Sequence, residues 1–107
     1  MAQAQNRLAI EGSITELKPL RHTPAGLPVL NFRIAHASEQ VEADMARKVE
    51  VELAVVALGS TATLLSGAKP GDALRLDGFL AAKSAKSGQP VLHVERIEFV
   101  EGLNHGI

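Results

Sequence analysis

A glycine set inside an otherwise regular alternating strand constrains this chain more than any other feature. In residues 72–81 (DALRLDGFLA), Leu74, Leu76 and Leu80 share one side with Gly78. A residue without a side chain in such a pattern marks a bulge, a sharp bend or a close backbone approach, and a small closed sheet needs such a point. A Pro70-Gly71 turn leads into this segment. A basic, small-residue loop, residues 83–88, follows it, and a further strand pattern begins near Val91.

The same alternation recurs earlier. In residues 7–17, Leu8, Ile10, Gly12 and Ile14 lie on one side, with Arg7, Ala9, Glu11, Ser13 and Thr15 on the other. Residues 18–27 contain Pro19, Pro24 and Gly26 and read as a turn or loop. Residues 28–37 then place Leu30, Phe32 and Ile34 inward against Asn31, Arg33 and Ala35, so the first two strands make an antiparallel hairpin. Residues 38–46 read as a polar, mainly acidic loop with no strong local preference for order. In the third strand, residues 47–58, Val49, Val51, Leu53, Val55 and Ala57 form one face. Lys48, Glu50 and Glu52 start the other, which turns apolar at Ala54, Val56 and Leu58 and therefore requires cover from another element or subunit.

Residues 59–67 have room for about two helical turns, with Ser60 or Thr61 as the cap and Ala62, Leu64 and Leu65 as the apolar side. The fifth strand, residues 90–101, changes parity: Leu92 and Val94 define one register, Ile97 and Phe99 the other. A bulge near Glu95 and Arg96, or burial of both faces, reconciles them. The expected architecture is a single all-β domain spanning residues 1–107, with flexible ends at 1–5 and 102–107. It is a five-stranded Greek-key barrel of the oligonucleotide-binding type (OB-fold), with a short helix or turn between strands 3 and 4. An open five-stranded sheet would need more cover on its back face than one short helix provides.

Several chemistries are excluded. The chain has no Cys, so disulfides and thiolate chemistry are unavailable, and His22, His36, His93 and His105 lack a close metal-binding spacing. No cofactor is expected. Asp72 and Asp77 read as a turn and an exposed strand residue, and Glu50 and Glu52 as a solvated strand face, rather than as a catalytic carboxylate pair. GSTATL, residues 59–64, lacks the nucleophile elbow G-x-S-x-G, and no phosphate-binding G-x-x-x-x-G-K-[ST] run occurs. No apolar run approaches the roughly 20 residues of a membrane span, and no secretory signal is evident, so a soluble cytoplasmic protein without membrane contact is the expectation.

The formal charge of −1 gives no general argument for nucleic-acid binding, but local patches set the field at a cleft. A five-stranded barrel of this type binds a single strand across its second and third strands, flanked by the loops after the first and fourth. Those parts carry Lys18, Arg21, Arg33, Arg47, Lys48, Lys83 and Lys86. Lys83 and Lys86 are equally consistent with a hairpin tip kept soluble, and the residues alone leave both readings open. Of the three aromatic residues, Phe32 and Phe99 fall on core-facing or covered positions. Phe79 is the candidate stacking ring. With so little stacking available, phosphate contacts should dominate, giving salt-sensitive and sequence-independent binding.

NRLAIEG at residues 6–12, VVALG at 55–59, K-x-x-K-x-G at 83–88 and VLHVERIEFV at 91–100 resemble the primosomal replication protein N (PriB) family, small relatives of the bacterial single-stranded-DNA-binding proteins. The likeness spans nearly the whole chain. It implies a non-enzymatic homodimer of OB barrels that binds single-stranded DNA, contacts the PriA helicase during replication restart and, in some bacteria, works with DnaT. It also implies DNA contacts at Arg33, Lys83 and Lys86, and less securely at Arg47 and Lys48. Glu50 stands where relatives place an aromatic residue, and Glu52 follows on the same face; both would oppose phosphate.

Overall fold

Ile14, Phe32, Ile34, Val55, Leu74, Leu76 and Leu92, drawn from five strands, meet in one core from which water is almost wholly excluded. The computed structural model describes residues 3–100. Its elements are β1 (Leu8–Leu17), β2 (Arg21–His22), β3 (Pro28–Glu42), β4 (Met45–Leu58), α1 (Ser60–Leu64), β5 (Ala73–Ala82) and β6 (Pro90–Phe99). The sheet runs β1-β5-β6-β4-β3, and β1 also pairs with β3, so the five long strands close into a barrel. All pairings are antiparallel except β4 with β6. This is the expected five-stranded OB barrel. The two-residue β2, inside the segment read as a loop, is an outrigger on β3.

Two glycines explain the closure. A Cβ on Gly78 would run into the carbonyl of His93, and one on Gly12 would sit 2.7 Å from the carbonyl oxygen of Ala35. Both strands therefore approach their neighbours more closely than any side chain permits. Beside Gly78 the β5–β6 register skips Glu95: Asp77 faces Arg96 whereas Gly78 faces Val94. That bulge is the parity change expected near Glu95 and Arg96. It turns Leu92 and Val94 inward before it and Ile97 inward after it.

Four local expectations are corrected. Residues 38–46 are not a loop: β3 and β4 pair in register out to Glu42 and Met45, turning through Ala43 and Asp44. Both turn residues have positive φ (52° and 65°), the conformation of a two-residue hairpin turn that matches strand twist. Glu39 facing Lys48, and Arg47 bonded to Glu42 at 2.6 Å, support this arm despite its polar composition. The helix is capped by Gly59 at positive φ, which has no side chain to offer, and the Thr61 hydroxyl donates back to the carbonyl of Leu58 instead. Its apolar side is Ala62 and Leu65, fully buried, while Leu64 faces solvent. Phe99 is half exposed rather than covered: it shares the inward parity of Ile97 and pairs with Leu74, but as the last residue of β6 it lies at the barrel's rim. Residues 3–5 are exposed and outside any strand; residues 102–107, His105 and the expected strand end at Glu101 lie outside the described residues.

Candidate nucleic-acid interface

Strand register places two rows of outward side chains across the barrel. Arg33 on β3 faces Ala54 on β4, which faces Val91 on β6; beside them run Asn31, Val56, His93 and, on β5, Phe79. The side chains at the centre are small and apolar, so the surface there is low and flanked by taller groups. Lys18 and Arg21 stand on one side, with Lys83 and Gln89 on the other. The result is a groove of about 590 Å³ between the loops of residues 18–27 and 83–89. Ala54 and Val56, which the sequence marked as needing cover, form its half-buried floor, whereas Leu58 remains exposed.

Both walls are locally held. In the first loop, the Thr23 amide donates to the carbonyl of Leu27, and the Lys18 amide to that of Asn31. In the second, the Lys83 amide donates to the carbonyl of Gln89, and the Ser84 hydroxyl accepts from the amides of Lys86 and Ser87. Lys83 is thereby fixed at the base of its loop, beside the groove, and Lys86 stands away at the tip.

The seven cations named from sequence therefore separate. Lys18, Arg21, Arg33 and Lys83 line one groove; Lys86 does not, and neither do Arg47 and Lys48, which belong to the β3–β4 arm. Arg33 is held by Glu52 at 3.5 Å, and Glu16 also lines the groove. Among the described residues Lys18, Arg21 and Lys83 have no carboxylate partner, in contrast to Arg7, Arg47 and Arg75. Arg75 bridges Glu11 and Glu98 across the outside of β1, β5 and β6, at 2.7 Å to each. Its hydrogen bonds, first to Glu11 and then to Glu98, push its pKa further up. Arg7 and Arg75 on that face are thus neutralised, whereas three of the four cations at the groove are not.

Phe79 does not line the groove. Its ring stacks on His93, centroids 5.1 Å apart and planes within 9°, and His93 is the ring that reaches the groove. Sequence reasoning passed over His93, Asn31, Gln89 and Glu16. The outward parity of Asn31 and His93 was the available signal. His36 is a structural group: Nδ1 lies 2.7 Å from the carbonyl oxygen of Glu11, and Nε2 lies 2.8 Å from the Ser38 hydroxyl. Among the described residues no group of three or more His, Asp or Glu side chains is arranged to hold a metal ion, and no helix is long and apolar enough to cross a membrane.

A closed OB barrel with unpaired cations on both sides of an apolar strip belongs to the class of single-stranded nucleic-acid-binding barrels. The family described as "Another single-strand binding protein family" matches residues 6–96. Replication restart protein PriB of Nitrosomonas europaea is 39% identical over 90 residues, covering 84% of this chain and 83% of that protein. PriB of Bordetella pertussis is 38% identical over 97 residues and 91% of each. Among solved structures, PriB of Ralstonia solanacearum superposes with a TM-score of 0.80 at 33% identity, over 91% of this chain and all of that one. The single-stranded DNA binding protein of Thermus aquaticus, 24% identical, shares the fold (TM-score 0.75) over 95% of this chain and 53% of its own. This chain belongs to the PriB family of replication restart proteins, within the single-strand binding proteins.

Proposed function

We propose that this protein is a non-enzymatic accessory factor of cytoplasmic replication restart that holds single-stranded DNA in the groove between residues 18–27 and 83–89. The observation that carries the reading is the set of unpaired Lys18, Arg21 and Lys83 beside Arg33, around a floor too small and apolar to bind phosphate itself. Ammonium and guanidinium groups pair with phosphates whatever the base, so the contact is sequence-tolerant and weakens with salt. Lys86, at the tip of a seven-residue loop, reaches a strand only as the loop closes over it, and Arg47 and Lys48 serve a longer strand that continues along the arm.

Family membership supports a role in passing that strand to the PriA helicase, with DnaT as a further partner and a homodimer as the working unit. Val41, Met45 and Val51, exposed on the β3–β4 arm, supply apolar surface for contacts with protein. They also favour a second reading, an interaction adaptor for which DNA is incidental, and Glu16 and Glu52 at the groove point the same way. Binding of a labelled single-stranded oligonucleotide, with the matching duplex as competitor and light scattering on the same sample, separates the two. Single-strand preference lost in an Arg33→Ala, Lys83→Ala double variant that still folds supports the DNA reading. Undetectable DNA binding at low salt by a dimer that still recruits the helicase establishes the adaptor.

A further inference from the structure

We propose that His93 is the base-contacting side chain of the groove, its free face packing against one nucleobase while its in-plane ring nitrogens are left to meet the edge of a neighbouring base. The inference rests on the single-strand reading of the groove and adds to it a residue that reads bases rather than phosphates. His93 stands outward on β6 in the row between Val56 on β4 and Phe79 on β5. Its ring lies parallel to that of Phe79, which holds it in one orientation from the side away from the groove. A ring already immobilised loses little freedom when a base stacks on it, which is what a stacking platform requires.

The hydrogen bonding of the two strand histidines sharpens the assignment. Both ring nitrogens of His36 are engaged, by a backbone carbonyl and a hydroxyl. Those of His93 meet no hydrogen-bonding partner among the described residues, although the ring is half-buried. A half-buried imidazole with a fixed plane and free donor and acceptor atoms, on an apolar floor, matches a planar ligand with polar edges. Phosphates are served by Lys18, Arg21 and Lys83 at the groove's sides.

Base and phosphate contacts part on salt dependence, because only the second releases counterions. Binding of a labelled single-stranded oligonucleotide is measured from about 50 to 200 mM salt for the full chain and for His93→Ala, His93→Leu and His93→Phe. Loss of stacking in His93→Ala weakens binding roughly 5- to 150-fold with an unchanged salt slope. His93→Phe retains most of the affinity. His93→Leu keeps bulk against Phe79 without a planar face and should follow the alanine variant, which provides the test if His93→Ala does not fold. On a strand of equal length with abasic sites, all four proteins should bind alike. His93→Ala and His93→Leu within about twofold of the parent, or a slope flattened in all three variants as for a lost phosphate contact, overturns the assignment. If Lys83→Ala weakens binding while the His93 variants do not, the groove stands and only His93 falls; if neither has any effect, the groove reading itself is lost.

Discussion

Lys83→Ala removes one of the four cations that line the groove, the other three being Lys18, Arg21 and Arg33. Each phosphate neutralised on a single strand adds about −0.7 to the slope of log affinity against log salt. Four full contacts set a limiting slope of about −2.8, and three about −2.1, each less steep to the extent that Glu52 already neutralises Arg33. Over a fourfold rise in salt, the parent protein should lose up to about fiftyfold in affinity and the variant up to about twentyfold. Fluorescence anisotropy of a labelled oligonucleotide, titrated at several salt concentrations, reads both numbers.

Arg33→Ala should behave differently because Arg33 is partly neutralised by Glu52 at 3.5 Å. A cation that exchanges one anion for another releases less salt, so its removal should flatten the slope by less than Lys83→Ala does. It also leaves Glu52 unpaired beside the DNA. Lys48→Ala, on the arm and outside the groove, is the control and should leave the slope for a short strand unchanged. A flattened slope in Lys48→Ala with a parental slope in Lys83→Ala would refute the reasoning, since the strand would then follow the arm.

Glu52→Gln frees Arg33 for phosphate and should tighten binding by roughly two- to fivefold at low salt, the range of an exposed ion pair; the same titration in an Arg33→Ala background should show almost no gain. Gly78→Ala forces a Cβ into the His93 carbonyl and should cost about 3 kcal/mol or prevent folding, whereas Gly88→Ala, with open space around it, should change the unfolding free energy read from a urea titration by less than about 0.5 kcal/mol. Replacing Ala43 and Asp44, both at positive φ, by Asn-Gly should raise stability by about 1 kcal/mol, read as a higher melting temperature.

Much of the fold was legible because a strand's faces alternate and each violation has a local cause. Gly12, Gly78 and the parity change at Glu95 mark the barrel's close approaches and its bulge, and all three stand in the sequence as breaks in a pattern. The β3–β4 arm was not legible. Glu39, Gln40, Glu42, Asp44, Arg47 and Lys48 have no apolar period, and the arm is held by cross-strand pairing and a turn whose residues are not the usual Asn-Gly. The site divides in the same way. The cations were evident, but which of them share a groove depends on the length of that arm and on how the two loops fold back. Lys86 and Lys48 separate from Lys18, Arg21, Arg33 and Lys83 only in three dimensions. Phe79 is outward, as its parity indicates, but its cross-strand partner His93 stands between it and the groove, which parity alone does not reveal.

The device that closes the barrel also builds the site. Gly78 lets β5 ride against the backbone of His93, and the bulge at Glu95 follows at once. Before the bulge, His93 and Val91 face outward to the groove while Leu92 and Val94 fill the core. Without the bulge, the inward parity of Ile97 would carry back along β6, turning His93 and Val91 into the core and Leu92 and Val94 into solvent. The groove's floor on the β6 side exists because one residue is skipped there. A variant that relieves the contact at Gly78 by sliding the register should therefore lose DNA binding even where it still folds, through the misplacement of β6 rather than through any missing charge.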